Sequence, residues 1–138
     1  MKGFMSRVEQ LMNAAESALL GATSAGERVS RDLQKGLNFG EFPSLCLHQL
    51  HDVNVPGAPI GYEYRQLTIE LEMLAEGDVP HSACEAFRAE VHTVLHGRLD
   101  VDGVQAGAVQ WEYDEENPRL GICRAQYLLT YRRREGEL

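Results

Sequence analysis

The sequence predicts an α+β protein, an antiparallel β-sheet of four to five strands with two helices packed on one face. Three observations carry this. The segments 62–73 and 120–133 alternate apolar and polar residues with a period of two, the mark of half-buried strands. Two other segments, near residues 6–20 and 82–96, repeat their apolar residues at helical spacing. Short, turn-rich connections then make successive strands pair as antiparallel neighbours, leaving the helices to cover one face.

The first helix is expected from about residue 4 to 20. Val8, Leu11, Met12, Ala15, Leu19 and Leu20 recur at helical spacing, and Gly21 stops the pattern. Residues 21–41 are polar and punctuated by glycine, so they are expected to form a partly mobile loop with a possible short strand around Arg28 to Ser30. Phe42-Pro43 opens an apolar run, Ser44 to His51, because proline is tolerated at the first position of a strand. Asp52 to Gly61 is dense in turn residues. From Tyr62 to Met73, Leu67, Ile69 and Leu71 take one face and Gln66, Thr68, Glu70 and Glu72 the other, and this strand should pair with the previous one.

Ser82, with Glu85 three residues on, has the spacing of a capping box and is expected to start the second helix. Its apolar face is Cys84, Phe87, Val91, Val94 and Leu95, and Gly97 ends it. Gly103 to Gly107 leads into a closing hairpin of Ala108–Asp114 and Leu120–Arg133 around the turn Glu115-Glu116-Asn117-Pro118. In its first strand Val109, Trp111 and Tyr113 alternate with Gln110, Glu112 and Asp114, which places the two aromatics in the core. The long charged strands 62–76 and 120–133 are expected to supply sheet edges open to a neighbouring subunit.

A length of 138 residues fits one domain, residues 1–138, with a flexible tail at 134–138. The formal charge of −8 argues against a protein that grips nucleic acid, which needs clustered Lys and Arg to neutralise phosphates. Arg132-Arg133-Arg134 is followed at once by Glu135 and Glu137, and reads as a solvated strand end. No segment has the length of a signal peptide's apolar core or approaches the roughly 20 apolar residues of a membrane span, so a cytosolic protein without membrane association is expected. Cys46, Cys84 and Cys123 are odd in number and sit inside apolar patterns, as buried reduced thiols do.

Several residue groups could carry chemistry. His92 and His96 lie four apart on one helix and could reach one metal ion, but no Glu follows the first histidine and no third ligand stands at a recognisable spacing. Cys46 and His48, with His51 beyond, could form a nucleophile and base, yet Cys46 stands between Leu45 and Leu47 in an apolar strand where a thiolate is disfavoured. The carboxylates Glu70, Glu72, Glu76 and Asp78, and the later Asp114, Glu115 and Glu116, fall on wet strand faces or turns, where solvent keeps neighbours ionised. Asp100-Val101-Asp102-Gly103 lacks the remaining positions of a calcium loop. No catalytic residue, metal or cofactor is therefore expected, and the chain reads as an assembly protein and not an enzyme.

The order of motifs resembles the tail terminator proteins of long-tailed bacteriophages, the minor tail protein U type. The similarity begins with an acidic residue and Phe-Pro opening the first long strand, Gly40-Glu41-Phe42-Pro43-Ser44-Leu45. It continues through Leu67 to Glu70, Val79-Pro80-His81-Ser82 before the second helix, and Ala125 to Tyr131 in the closing strand. It spans about residues 6 to 133, with 21–41 unmatched and 132–138 extending past the usual strand end.

The resemblance implies an α+β virion subunit that forms a hexameric ring on the head-proximal end of the tail. There it would stop tube polymerisation and offer the surface for head–tail joining. Its partners would be copies of itself, the major tail tube protein and a head-completion protein, with DNA only passing through the lumen. The host cytoplasm would be its location during assembly. Under this reading Trp111 and Tyr113 are alternatively intersubunit contacts, Arg132, Arg133 and Arg134 pair with acidic neighbours, and Glu70 and Glu72 keep the lumen acidic. A neck or connector protein is the alternative, and a small metal-dependent enzyme using His92 and His96 is a further one.

Overall fold

The computed structural model describes residues 5–31 and 40–138. Their elements run α1 (Arg7–Leu19), β1 (Val29–Ser30), β2 (Ser44–Val55), β3 (Tyr62–Glu76), α2 (Pro80–Arg98), β4 (Gly103–Tyr113) and β5 (Leu120–Arg134). The strands form one sheet in the order β1-β2-β3-β5-β4. Every long pair is antiparallel, and the short β1 runs parallel to β2, so the sheet is mixed. This is the expected α+β class.

The core lies between the sheet and the helices. Leu67, Ile69, Leu71, Met73 and Ala75 of β3 alternate with less buried residues, as do Cys123, Ala125, Tyr127, Leu129 and Tyr131 of β5. Onto them α2 lays Cys84, Phe87, Val91, Val94 and Leu95, and α1 lays Leu11, Met12, Ala15 and Leu19. Each large side chain so buried contributes about 1.5–3 kcal/mol of transfer free energy.

Capping differs from expectation at the second helix only. Ser6 caps α1, its Oγ accepting from the Glu9 amide at 3.1 Å, and Gly21 follows the helix with φ of 73°, a conformation open to glycine. Ser82 caps nothing. The helix α2 starts at Pro80 after Val79, with no side-chain cap because valine carries no acceptor; proline at the first helical position presets φ and removes one of the amides that have no partner within the helix. The helix also continues through Gly97 to Arg98.

Strand β2 extends four residues past the expected His51 because a bulge between Gln49 and His51 inserts an extra residue and resets the alternation. Strand β4 begins at Gly103, not Ala108, with a bulge between Ala106 and Val109. Gly107 lies in that bulge, where an added Cβ would come within 3.0 Å of Leu128 Cδ1. The turn after β4 is held by Asp114, whose carboxylate accepts from the amides of Glu116 and Asn117 at 3.2 and 2.9 Å.

Strands β3 and β5 were expected to be edges but are the sheet's interior, β3 paired on both sides from Tyr64 to Leu74 and β5 from Gly121 to Thr130. Among the described residues the open edges belong to β4 and to the part of β2 beyond Cys46, where β1 stops. Of the expected loop 21–41, residues 21–31 are folded against the body. Arg28 Nε donates to the Pro43 carbonyl at 2.9 Å, and Ser24 Oγ donates to the Glu90 carboxylate; residues 32–39 lie outside the described residues. The expected flexible tail is hydrogen-bonded, with the Glu135 amide donating to the Gly61 carbonyl and the Arg7 amide to that of Leu138.

Candidate functional site

Trp111 and Tyr113 are not in the core: they are 42% and 58% exposed. The face was read correctly, since Trp111 stands opposite Cys123 on the helix-bearing side. Burial fails because β4 is the edge strand and α2 packs mainly over β3 and β5. The two rings instead form a shelf along the outer flank of α2. The Trp111 indole N–H donates to Glu85 Oε1 at 2.8 Å, and the Arg88 guanidinium sits 5.8 Å from the Trp111 ring centroid. Glu85 also accepts from Arg88 Nε and Nη2 at 3.0 and 2.7 Å. The Arg88 guanidinium holds the Glu85 carboxyl below its ordinary range, against the opposing effect of burial, with a smaller contribution from Trp111. Beside them His81 stacks on Tyr113 at 4.2 Å between centroids, and a shallow hollow is lined by His81, Ser82, Glu85 and Trp111.

Glu70 and Glu72 lie on the opposite, helix-free face of β3. Glu72 is the centre of a charged row across four strands. Arg124 Nε donates to it at 3.1 Å, His48 Nε2 lies 3.7 Å away, and Arg124 also reaches Glu112 on β4. Glu70 stands between His48 and Gln126 in register and makes no ion pair with a described residue. The three C-terminal arginines diverge. Arg133 donates to Glu63 at 2.7 Å on one face, while the exposed Arg132 and Arg134 share the other, where Arg132 lies 5.0 Å from the centroid of the Tyr62 ring opposite Arg134.

His92 and His96 do come together, with ring centroids 4.3 Å apart. His92 Nδ1 is 2.8 Å from the hydroxyl of the buried Tyr127, and burial, then His96 and Arg88, push its pKa down. Among the described residues no group of three or more His, Cys, Asp or Glu side chains could hold a metal ion. All three cysteines are buried and unbridged, and burial raises the Cys123 thiol to about 11, far from a nucleophilic thiolate. Cys46 and His48 project from the same face of β2, where His48 faces Glu72. Asp100 and Asp102 are exposed in the connection before β4.

One cluster escaped the sequence reading. Asp52 accepts from Arg65 Nε at 2.9 Å and from the Tyr131 hydroxyl at 3.0 Å, beside a cleft bordered by Ser6, Glu9 and Arg133. Asp52 reads as a turn residue in sequence, and only the β2 bulge turns it toward the helix side opposite Leu67. These charges satisfy one another and tie the sheet's end together. Among the described residues no helix is long and apolar enough to cross a membrane. No protein-family model matches the chain, and no curated protein matches it.

Proposed function

We propose that this chain is a structural subunit of a phage virion that forms a ring, hexameric by the family resemblance, on the head-proximal end of the tail tube. The ring would end tube polymerisation and present the head-joining surface. The observation that carries the reading is where the resembling motifs fall. Glu41-Phe42-Pro43 immediately precedes β2, Leu67–Glu70 lies in interior β3, Val79-Pro80 starts α2, and Ala125–Tyr131 forms the core-facing stretch of β5. Motifs that open elements and line the core specify a scaffold, and a scaffold whose described residues leave two sheet edges open is suited to repeated assembly.

The test is electron microscopy of the purified chain, alone and mixed with tail tubes. Blunt caps at one tube end, with tubes of uniform length, are the expected result. Absence of tube binding, with binding instead to head-side rings, would replace the terminator by a neck connector. Elemental analysis of the same preparation addresses the enzyme alternative: a stoichiometric metal lost on changing His92 or His96 would revive it.

A further inference from the structure

We propose that copies of this chain join edge to edge, the outer edge of β4 in one copy pairing with the part of β2 beyond Cys46, which no described strand covers, in the next. The inference specifies the subunit contact of the ring proposed above, but its argument is the sheet's own geometry.

Strand polarity comes first. Down the order β2-β3-β5-β4 each long strand is antiparallel to its neighbour, so β2 and β4 run in opposite directions. A second copy in the same orientation therefore meets β4 with a β2 that is antiparallel to it. The sheet continues with one repeating contact and every copy facing the same way. That is a heterologous contact, the kind that closes into rings when its rotation permits. Pairing β4 with another β4 would instead require a two-fold axis and would leave both β2 edges empty.

The chemistry of the two edges agrees. Beyond its bulge β4 is regular from Val109 to Tyr113. The Asp114 amide donates inward to Leu120, so by the alternation of an antiparallel ladder the amides of Tyr113, Trp111 and Val109 point out to the open edge. Strand β2 is likewise regular from His51 to Val55 after its bulge, and β1 covers only Leu45 and Cys46. The exposed apolar residues of the two edges lie on different faces: Trp111 and Tyr113 of β4 on the helix-bearing side, and Val53 of β2, opposite Gln66, on the helix-free side, so backbone pairing and not an apolar seam would carry the contact. On the helix-free face the β4 edge presents Glu112, which Arg124 already pairs within the subunit, and the β2 edge presents His51, so two polar groups and no like charges meet across the contact. Natural edges are guarded by lysine, proline, charge or bulges; each edge here carries one bulge, but both bulges lie before the stretches His51–Val55 and Val109–Tyr113, which neither lysine nor proline interrupts.

The experiment blocks each edge separately in the full chain. Trp111→Lys with Tyr113→Lys blocks β4, and Leu50→Lys with Val53→Lys blocks β2; all four residues are exposed, and circular dichroism checks the fold. If a lysine pair unfolds the chain, Tyr113→Pro or Val53→Lys alone replaces it. Mass is read by native mass spectrometry and sedimentation up to ~1 mM. The expected result is a closed oligomer for the unaltered chain, a 15.4 kDa monomer for each blocked variant, and twice that mass for their equimolar mixture, since the mixture retains one good edge of each kind. An unaltered chain that stays monomeric overturns the proposal. So do blocked variants that still form the full oligomer, or a β2-blocked variant that dimerises with itself. Rings that ignore tail tubes would sink the capping role and keep this contact; tubes capped by a chain whose edges are blocked would sink this contact and keep the role.

Discussion

At the scale of single residues, the consequences of packing are clearest where backbone and side chain meet without spare room. Gly121 of β5 passes under the start of α2, where an added Cβ would lie 2.8 Å from the Pro80 carbonyl oxygen and 3.0 Å from Cys84 Sγ. Gly121→Ala is expected to destabilise the fold by about 1–3 kcal/mol through overpacking, measured as a lower urea midpoint with an unchanged slope. His92 gives a pH dependence. Burial, His96 and Arg88 depress its folded pKa below the ordinary 6.5. Between the folded and unfolded values the unfolded chain binds a proton that the folded chain does not. The stability linked to His92 is therefore full above about pH 6.5 and declines as pH falls toward the folded value. His92→Asn, which keeps an acceptor for the Tyr127 hydroxyl, should flatten that acid limb relative to the unaltered chain. Parallel limbs in both would show that other groups control it.

At the scale of elements, two serines with the same motif separate what sequence can and cannot show. Ser6-Arg7-Val8-Glu9 and Ser82-Ala83-Cys84-Glu85 both carry capping-box spacing. Only the first caps a helix, because at the second Pro80 begins the helix two residues earlier. Ser6→Ala should cost about 1 kcal/mol and Ser82→Ala under about 0.5 kcal/mol, compared by thermal or urea unfolding. Equal costs would mean that the cap hydrogen bond is not what distinguishes them. The same contrast explains the strands. Alternation made β3 and β5 legible because both are regular throughout, whereas bulges hid the last third of β2 and the first half of β4. A bulge removes the period on which such reading depends.

At the scale of the molecule, fold class was legible from the sequence, but strand order was not, since local patterns say which face a residue takes and not which strand lies beside it. That is why Trp111 was read onto the right face and into the wrong place: the interior of a sheet buries such a ring, and its edge leaves it half exposed. It is also why the edges had been sought on β3 and β5. The candidate interface therefore required the topology.

The formal charge of −8 has a local side which separates Glu70 from Glu72 as probes of a DNA passage. Both lie on the helix-free face, but Glu72 accepts from Arg124, so Glu72→Lys would set a lysine against that arginine and mix a folding defect with any effect on DNA. Glu70 carries no ion pair among the described residues, so Glu70→Lys changes the charge of that face with little expected change in stability, within about 0.5 kcal/mol. If the helix-free face lines the lumen of the proposed ring, assembled Glu70→Lys protein should retain a short DNA duplex at low salt. Retention should fall steeply as salt rises, because every copy adds a cation to one confined channel. The unaltered ring should retain none under the same conditions. Equal behaviour of the two rings in a mobility-shift titration would place this face away from the DNA, and the acidic balance would then reflect solubility instead of passage.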